Sequence, residues 1–591
     1  MKKIVDFFIL FFLAIVTVLF SVLIYVRYLW PNADYEQIMM TIKDLSPELI
    51  VNNALAKDYI LGFLFFIVIY PVCYIYLNTK QRLLTATILL FAILYYSGFI
   101  YYKIYSSTTS NLYETEYVSP KDITFNFPEK KRNLLLIYME SFEQNFSKQE
   151  HYGQNLIPNL TKLQKEGQHS LAHESLPGSD YSIASLVASQ CGVPLRFPKE
   201  RDIWDTKYFL PGAVCFAEIL REAGYKNVMI KAADIQFTKA DVFLKAHGFD
   251  EALGVNEILP ALPNKDKSVY MGTFGGVTDR VLYDFAKKKI ESFDDDKPFM
   301  LSLFTLDTHV PTVELDKSCD VIFDDLRDSF ICADKAVYEF IEWFKGTKYW
   351  DNTTVVIVGD HLLPSRIFYK GYPKRGIYNV FLNVPYGLNI DKNKVFSTYD
   401  LAPTILESVG ANLNPRRLGL GKSMFSDETS LIEKMGMHKL KIRLIQKSEI
   451  YKKLVEPIVK RIDVYKDYEL KKSINEEQFL EYTDAYSEVM KQYYLDRLNL
   501  GLKNYSGGDL KVKLKFVAVA SGEILISANN NLITEVKKKQ MIRQPVDIEF
   551  IVNSYMVKDG KLQFKFRNTS GNGVETQMGI SPKELVIEEI K

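Results

Sequence analysis

The apolar positions of this chain follow three different rules from one end to the other. At the start they are continuous. VDFFILFFLAIVTVLFSVLIYV (5–26) holds a single charge, Asp6, while YILGFLFFIVIYPVCYIYL (59–77) and LLTATILLFAILYYSGFIYY (83–102) hold none. Runs of this length match the hydrocarbon thickness of a bilayer, and Pro71 is tolerated in a membrane helix. A cleaved signal peptide fits less well, because the first run is too long and no small-residue cleavage site follows it. Lys2, Lys3, Lys80 and Arg82 flank the runs on one side, whereas the 28–58 loop carries five acids against Lys43 and Lys57. Cytoplasmic loops concentrate bases, so the N-terminus and the 78–82 turn are expected inside and everything after about residue 104 outside.

Residues 105–132 are polar, proline-punctuated and without helical period, and read as a linker. Beyond them the second rule takes over. Short runs apolar on both faces, NLLLIYME (133–140), NVMI (227–230), FMLSLFTL (299–306) and TTVVIV (353–358), alternate with amphipathic stretches at 157–167, 215–224, 277–293 and 331–346. That alternation predicts an α/β domain with a mostly parallel central sheet. In the third regime, 430–500 is helical and Lys-rich, and from 510 on LKVKLKFVAVASGEILISA and LQFKFRNTS alternate as strands. The expected organisation is an anchor of three transmembrane helices (1–104), a linker (105–132), a catalytic α/β domain (133–425), a helical segment (426–500) and a small β-rich module (501–591).

Charge adds one exclusion. With 73 bases against 72 acids the net charge is +1, so nothing in the overall balance points to nucleic acid or another polyanion. Of five cysteines, Cys73 lies in an apolar run, and the other four fall in the part expected outside the cell, where disulfides persist. Short loops favour pairing Cys191 with Cys215 and Cys319 with Cys332; four buried thiols are the alternative.

In open α/β sheets ligands bind beyond the carboxyl ends of the strands. Three of the predicted strands run into chemistry there: Glu140 after the first, Asp307 and His309 after FMLSLFTL, and Asp360-His361 after TTVVIVG. Carboxylates with an imidazole form a donor set for a divalent metal. A hydroxyl nucleophile is available in SLPGSDYSIASLVASQCGVP (175–194), where an apolar helical pattern begins near Ser182 after a Pro-Gly turn. A serine in a first helical turn faces backbone N–H groups and the positive end of the helix dipole. Taken singly, Glu140, Ser179 and Ser182 are each explained as helix caps or solvated loop residues. Their coincidence at independent strand and helix ends is what points to a site. Ser179 is placed to be the N-cap of that helix and Ser185 lies a turn deeper, so Ser182 is the serine of its first turn.

These stretches, with KADVFLKAHGFDEALG and LGLGKSMFS, resemble in the same order the phosphoglycerol transferases and lipoteichoic acid synthases, membrane-anchored members of the alkaline phosphatase/sulfatase superfamily. The likeness covers about 133–425 and the anchor layout, and is greatest to the phosphoglycerol transferase I group. It implies that Glu140, Asp360, His361 and the Ser182 hydroxyl surround one divalent metal, manganese first, with magnesium or zinc as alternatives. It further implies that Ser182 is the nucleophile and that His309, Asp279 and Ser185 lie on the substrate side. Two departures matter. The synthases grip glycerol phosphate with Trp-Gly-x-Arg-Asp, and the matching GGVTD (275–279) keeps only Gly276 and Asp279. Sulfatases need Cys or Ser followed by x-Pro-Ser-Arg, and SIASL lacks both the proline and the arginine.

The expected activity is transfer of phosphoglycerol from phosphatidylglycerol to a periplasmic or cell-envelope glycan through a phospho-serine intermediate. The expected setting is a multi-pass inner-membrane protein whose catalytic domain lies in the periplasm. Two alternatives stand beside it: phosphoethanolamine transfer to a glycan or lipid, and a membrane-tethered binding module without catalysis.

Overall fold

A computed structural model describes residues 2–29, 77–196, 209–294, 296–310, 315–364 and 374–455, together with 459–461, 463–465, 497–503, 506–518, 523–528, 531–536, 545–557, 561–569, 575–576 and 580–590. The chain divides into two units, Met1–Val455 and Glu456–Lys591.

The first unit is organised by a six-stranded sheet. In chain order its strands are β1 (Asn133–Met139), β2 (Lys226–Lys231), β3 (Glu251–Leu253), β4 (Phe299–Phe304), β5 (Thr353–Gly359) and β6 (Asn379–Leu382), arranged β3-β2-β4-β1-β5-β6. All neighbours are parallel except β6, which runs antiparallel to β5, so the sheet is mixed. Why β1 is apolar at every position is visible in its packing. Leu134, Leu136 and Tyr138 enter one core, and Leu135, Ile137 and Met139 enter the other. Each aliphatic side chain so buried contributes about 1.5–3 kcal/mol. Helices Pro158–Glu166, Asp279–Glu291 and Leu326–Lys345 supply one core; Ser182–Cys191, Phe216–Glu222, Ala240–Ala246 and Leu401–Ser408 supply the other. Disulfides join Cys191 to Cys215 and Cys319 to Cys332. The first ties the end of one helix to the start of the next.

At the N-terminus, helices Lys2–Leu29 and Thr79–Tyr96 pack on one another through Leu13 and Ala86, and the Thr79 hydroxyl donates to Asp6. Phe7, Phe8, Phe11, Leu84, Ile88 and Phe91 remain exposed around this helix pair. Among the described residues no single helix is long and apolar enough to cross a membrane. Thr79–Tyr96 and Phe99–Ser106 pass that test together, bent by 59°. The run expected to be continuous over 83–102 is therefore broken. Gly98 takes a left-handed φ of 76° that ends one helix and starts the next. The expected span at 59–77 lies, apart from Leu77, outside the described residues.

The stretch 105–132 is not a free linker. Leu112 and Tyr113 are fully buried in the main core, and Thr124–Asn126 pairs with Asn412–Asn414. Its apolar residues are too few to show a period, yet each is used. Farther on, helices Leu431–Met435, Met437–Ile445 and Glu449–Val455 follow the catalytic fold. Beyond them, within the stretch expected to be helical to 500, Val459–Arg461, Asp463–Tyr465 and Arg497–Lys503 are strands. The second unit is built of antiparallel sheets. One has the order Val459–Arg461, Ile580–Ile590, Asp509–Ala518, Pro545–Val552, and the other gathers Asp463–Tyr465, Arg497–Lys503, Lys561–Thr569, Glu523–Ala528 and Asn531–Val536.

One histidine in the first unit makes acid stability testable. His173, on the short strand Ala172–Glu174, is fully buried, and neither ring nitrogen has a hydrogen-bond partner. Burial pushes its pKa down from 6.5 to about 3. The unfolded chain binds a proton there that the native chain refuses, so this contribution is intact above pH 6.5 and is lost as pH falls toward 3. His173→Leu is expected to flatten that limb. Its melting temperature relative to the parent should rise progressively between pH 6.5 and 4, measured by thermal scans of the full chain. Parallel curves would refute the assignment.

Candidate active site

Strand register assembles the site. β1 and β5 are adjacent and parallel, with Met139 opposite Gly359, so the next residues of each, Glu140 and Asp360, emerge side by side. Gly359 admits no side chain, because a Cβ there would lie 2.0 Å from the Phe142 carbonyl. On the other flank β4 pairs Phe304 with Tyr138. The loop beyond β4 then locks onto Glu140: the Thr305 hydroxyl accepts from its N–H at 3.0 Å and the Thr308 hydroxyl donates to its carbonyl at 2.5 Å.

Glu140, Asp360 and His361 are all buried, and one donor atom of each lies within 4.8 Å of the others. Asp360 Oδ1 accepts from the N–H groups of Ser141 and His361, both at 2.7 Å. Its Oδ2 has no hydrogen-bond partner. His361 Nδ1 lies 2.9 Å from the Leu362 carbonyl and must donate to it, which leaves Nε2 facing Asp360 Oδ2 at 3.2 Å and Glu140 Oε1 at 3.5 Å; burial opposes protonation of this ring, but Asp360 and Glu140 outweigh it and raise its pKa. Electron pairs pointed at one another in a dry site need a cation or a proton between them. Burial, and then Glu140, push Asp360 up to about 7. Burial opposes ionisation of Glu140 too, but His309, His361 and the hydroxyls of Ser141 and Ser182 outweigh it and hold its pKa below the ordinary value. This donor set fits a divalent metal: two carboxylates and an imidazole, with an unpartnered oxygen aimed inward.

Ser182 is the first residue of helix Ser182–Cys191, and its hydroxyl donates to Glu140 Oε2 at 3.1 Å. The N-cap is Tyr181, which supplies no capping side chain, so the first-turn N–H groups are left to whatever occupies the site. Ser179, expected to be the N-cap, is two residues too early. Its hydroxyl instead closes a turn on Leu176, donating to the carbonyl at 2.9 Å and accepting from the N–H at 3.2 Å.

Two residues expected on the substrate side are engaged by backbone groups. Ser185 is buried and donates to the Asp360 carbonyl, pinning the helix to the end of β5. Asp279 is buried and accepts from the Leu306 N–H at 2.8 Å, while the Asp279 N–H donates to Asp307 at 2.9 Å. Burial raises both carboxyls, Asp279 to about 7. The pair braces the loop after β4, because each acid holds the other's backbone N–H; Asp279 Oδ2 and Asp307 Oδ1 have no hydrogen-bond partner, and Glu140 acts on Asp279 electrostatically. His309 does reach the site. Glu140 and His361 act on it electrostatically, Phe274 packs edge-on at 4.4 Å, and its Nδ1 has no partner. Burial lowers its pKa against the pull of Glu140.

Lys231 was missed by the sequence reading. It is the last residue of β2 and lines one cleft with Ser182, Ile183 and Phe304. Burial lowers its pKa against the pull of Glu140 and Asp360. The strand-end rule would have found it had the survey of strand ends included bases.

Beneath the site, Glu143 accepts from the Leu363 N–H at 2.9 Å and from the Arg375 Nε at 2.9 Å, all buried. Arg375→Ala strands that carboxylate. It is expected to cost about 3–5 kcal/mol, read as a shift of the denaturation midpoint. A loss under about 1 kcal/mol, the scale of an exposed pair, would show that Glu143 is not truly desolvated.

Residues 132–411 match the family model described as Sulfatase. Phosphoglycerol transferase I of Shigella flexneri is 31% identical over 319 residues, covering 52% of this chain and 41% of the relative. The protein of the same name from Escherichia coli strain SMS-3-5 is 31% identical over 323 residues with the same coverages. The match thus spans less than half the length of these curated relatives. Among solved structures, an alkaline phosphatase superfamily protein from Vibrio parahaemolyticus overlaps with a TM-score of 0.42 at 22% identity, covering 52% of this chain and 72% of that one.

Proposed function

We propose that this chain, whose residues 132–411 match the Sulfatase family model, is a membrane-anchored, metal-dependent phosphotransferase moving phosphoglycerol from phosphatidylglycerol to a cell-envelope glycan. The observation that carries the reading is the Ser182 hydroxyl, at an uncapped helix N-terminus and 3.1 Å from one carboxylate of a buried metal-type cluster. Glu140, Asp360 and His361 would hold the ion; when bound, it supplies positive charge that favours the serine alkoxide and offsets charge developing on phosphorus oxygens.

In the first step Ser182 Oγ attacks the lipid phosphorus. A Ser–O–P bond forms, the P–O bond to diacylglycerol breaks, and the serine proton ends on the departing oxygen. In the second, a glycan hydroxyl displaces Ser182 from phosphorus and its proton returns to Oγ, leaving glycan phosphoglycerol. The first-turn N–H groups and Lys231 bind phosphate oxygens and His309 orients them. Lys231, half-buried beside the nucleophile, also favours glycerol over ethanolamine when it is protonated, because it then repels an ammonium head group. The exposed apolar helix pair supports anchoring in the inner membrane, with the site on the periplasmic side, within reach of a lipid donor.

Metal-loaded full-length protein incubated with labelled phosphatidylglycerol should release diacylglycerol; folded, loaded protein that never does so refutes the proposal. Release from phosphatidylethanolamine alone would establish the ethanolamine reading. His309→Ala separates metal from substrate: it should keep bound metal while lowering turnover by roughly 10²–10⁴-fold. Loss of the ion from that variant would place His309 among the ligands instead.

A further inference from the structure

A cleft lined by basic residues lies close to where the chain leaves the apolar helices. Helix Phe99–Ser106 is rich in aromatics, with Tyr101 and Ile104 exposed and Lys103 near its end. Aromatic residues of this kind collect at the level where hydrocarbon meets head groups. Three residues beyond that helix begins a cleft of about 690 Å³, walled on one side by Thr109, Ser110 and Asn111 and on the other by His438, Lys439 and Arg443 of helix Met437–Ile445. Three extended residues span at most about 11 Å, so the cleft opens at head-group depth.

Its charge is one-sided. The helix, MHKLKIRLI, contains Lys439, Lys441 and Arg443 and no acid. Lys439 and Arg443, four apart, share a face. Neither forms an ion pair among the described residues, and Glu114 is the single acid lining the cleft. The cleft is also held rigidly. Lys447 N–H donates to the Thr108 carbonyl and Ser110 N–H to the Lys447 carbonyl, which bolts the helix to the stem. Arg196 holds the same C-terminal end through the carbonyls of Leu444, Ile445 and Gln446. Two unpaired bases fixed in a cleft beside an aromatic, membrane-exit helix are matched to a phosphodiester in the leaflet.

We propose that the cleft between Thr109–Asn111 and helix Met437–Ile445 binds the head group of an anionic glycerophospholipid. It would hold this end of the protein against the lipid leaflet. The inference rests on the reading of the N-terminal helix pair as a membrane anchor, and not on the chemistry at Ser182.

The test uses the full chain carrying Ser182→Ala, so that no lipid is consumed. In detergent, native mass spectrometry compares retention of phosphatidylglycerol and phosphatidylcholine with matched acyl chains. The parent should prefer phosphatidylglycerol, and Lys439→Gln with Arg443→Gln should weaken that preference about thirtyfold, each base near an anionic surface being worth about fivefold. Lys439→Arg with Arg443→Lys should retain it, which separates charge from packing. Equal retention of the two lipids by the parent, or an unchanged preference in the neutralised variant, overturns the proposal. Displacement of the lipid by glycerol phosphate at matched concentration would make the ligand a soluble anion and overturn it too. Diacylglycerol release by the chain with Ser182 intact reports on the catalytic reading separately.

Discussion

Ser182→Ala is expected to lower phosphoglycerol transfer by about 10⁴-fold or more, the scale seen when a nucleophile that works with fixed partners is removed. The covalent phosphoglyceryl peptide should disappear with it. The fold should survive. Ser182 is only half-buried, alanine suits the first turn of a helix, and the one hydrogen bond lost, to Glu140, is worth about 1–2 kcal/mol. Ser182→Thr keeps the hydroxyl in place and should retain part of the activity. Ser179→Ala removes the two side-chain bonds from the turn on Leu176 while its backbone bond remains, and should show up as a modest loss of stability with transfer largely kept. Mass spectrometry of trapped protein decides the matter: a phosphoglyceryl group on Ser179 or Ser185 would displace Ser182 from the role.

Asp360→Ala should remove the metal and the activity together. The carboxylate supplies charge through its unpartnered Oδ2, and its Oδ1 holds the Ser141 and His361 N–H groups in place. Its loss should weaken metal affinity by more than the roughly 10–100-fold that follows from losing an outer hydrogen-bond partner. Asp360→Asn is the sharper variant because it keeps the oxygen acceptor and deletes only the charge. In metal-free protein Asp360 titrates at about 7 instead of 3.8, for burial and Glu140 oppose its ionisation. The native chain then binds a proton that the unfolded chain has released, so folding of the parent weakens as pH rises between those values. Metal-free Asp360→Asn should therefore be the more stable of the two. The gap should open above about pH 4 and level off above about pH 7. Added manganese or zinc should raise the melting temperature of the parent and leave the variant unmoved. A metal-dependent rise of equal size in both would remove Asp360 from the ligand set.

Much of the site was legible because strand ends are local events. A run such as TTVVIV is apolar on both faces only if it is buried on both, and the residues after it must then leave the core at the sheet's carboxyl edge. Glu140, Asp360 and His361 could be nominated on that ground alone, and the structure brings them within 4.8 Å. The same logic overlooked Lys231 only because bases were left out of the survey. A helix beginning near Ser182 was likewise readable from its apolar spacing.

Orientation was not legible, because it depends on partners far away in the chain. Ser185 lies one turn beyond Ser182, yet its hydroxyl is taken by a carbonyl 175 residues away. Asp279 turns to the backbone after β4, 27 residues on. Only the opposition of Met139 and Gly359, strand against strand, makes neighbours of two carboxylates 220 positions apart. The buried Leu112 and Tyr113 of the supposed linker, and the antiparallel β6, have the same origin. A short apolar cluster or a four-residue strand carries too little period to reveal itself, and gains its meaning from the surface that already awaits it.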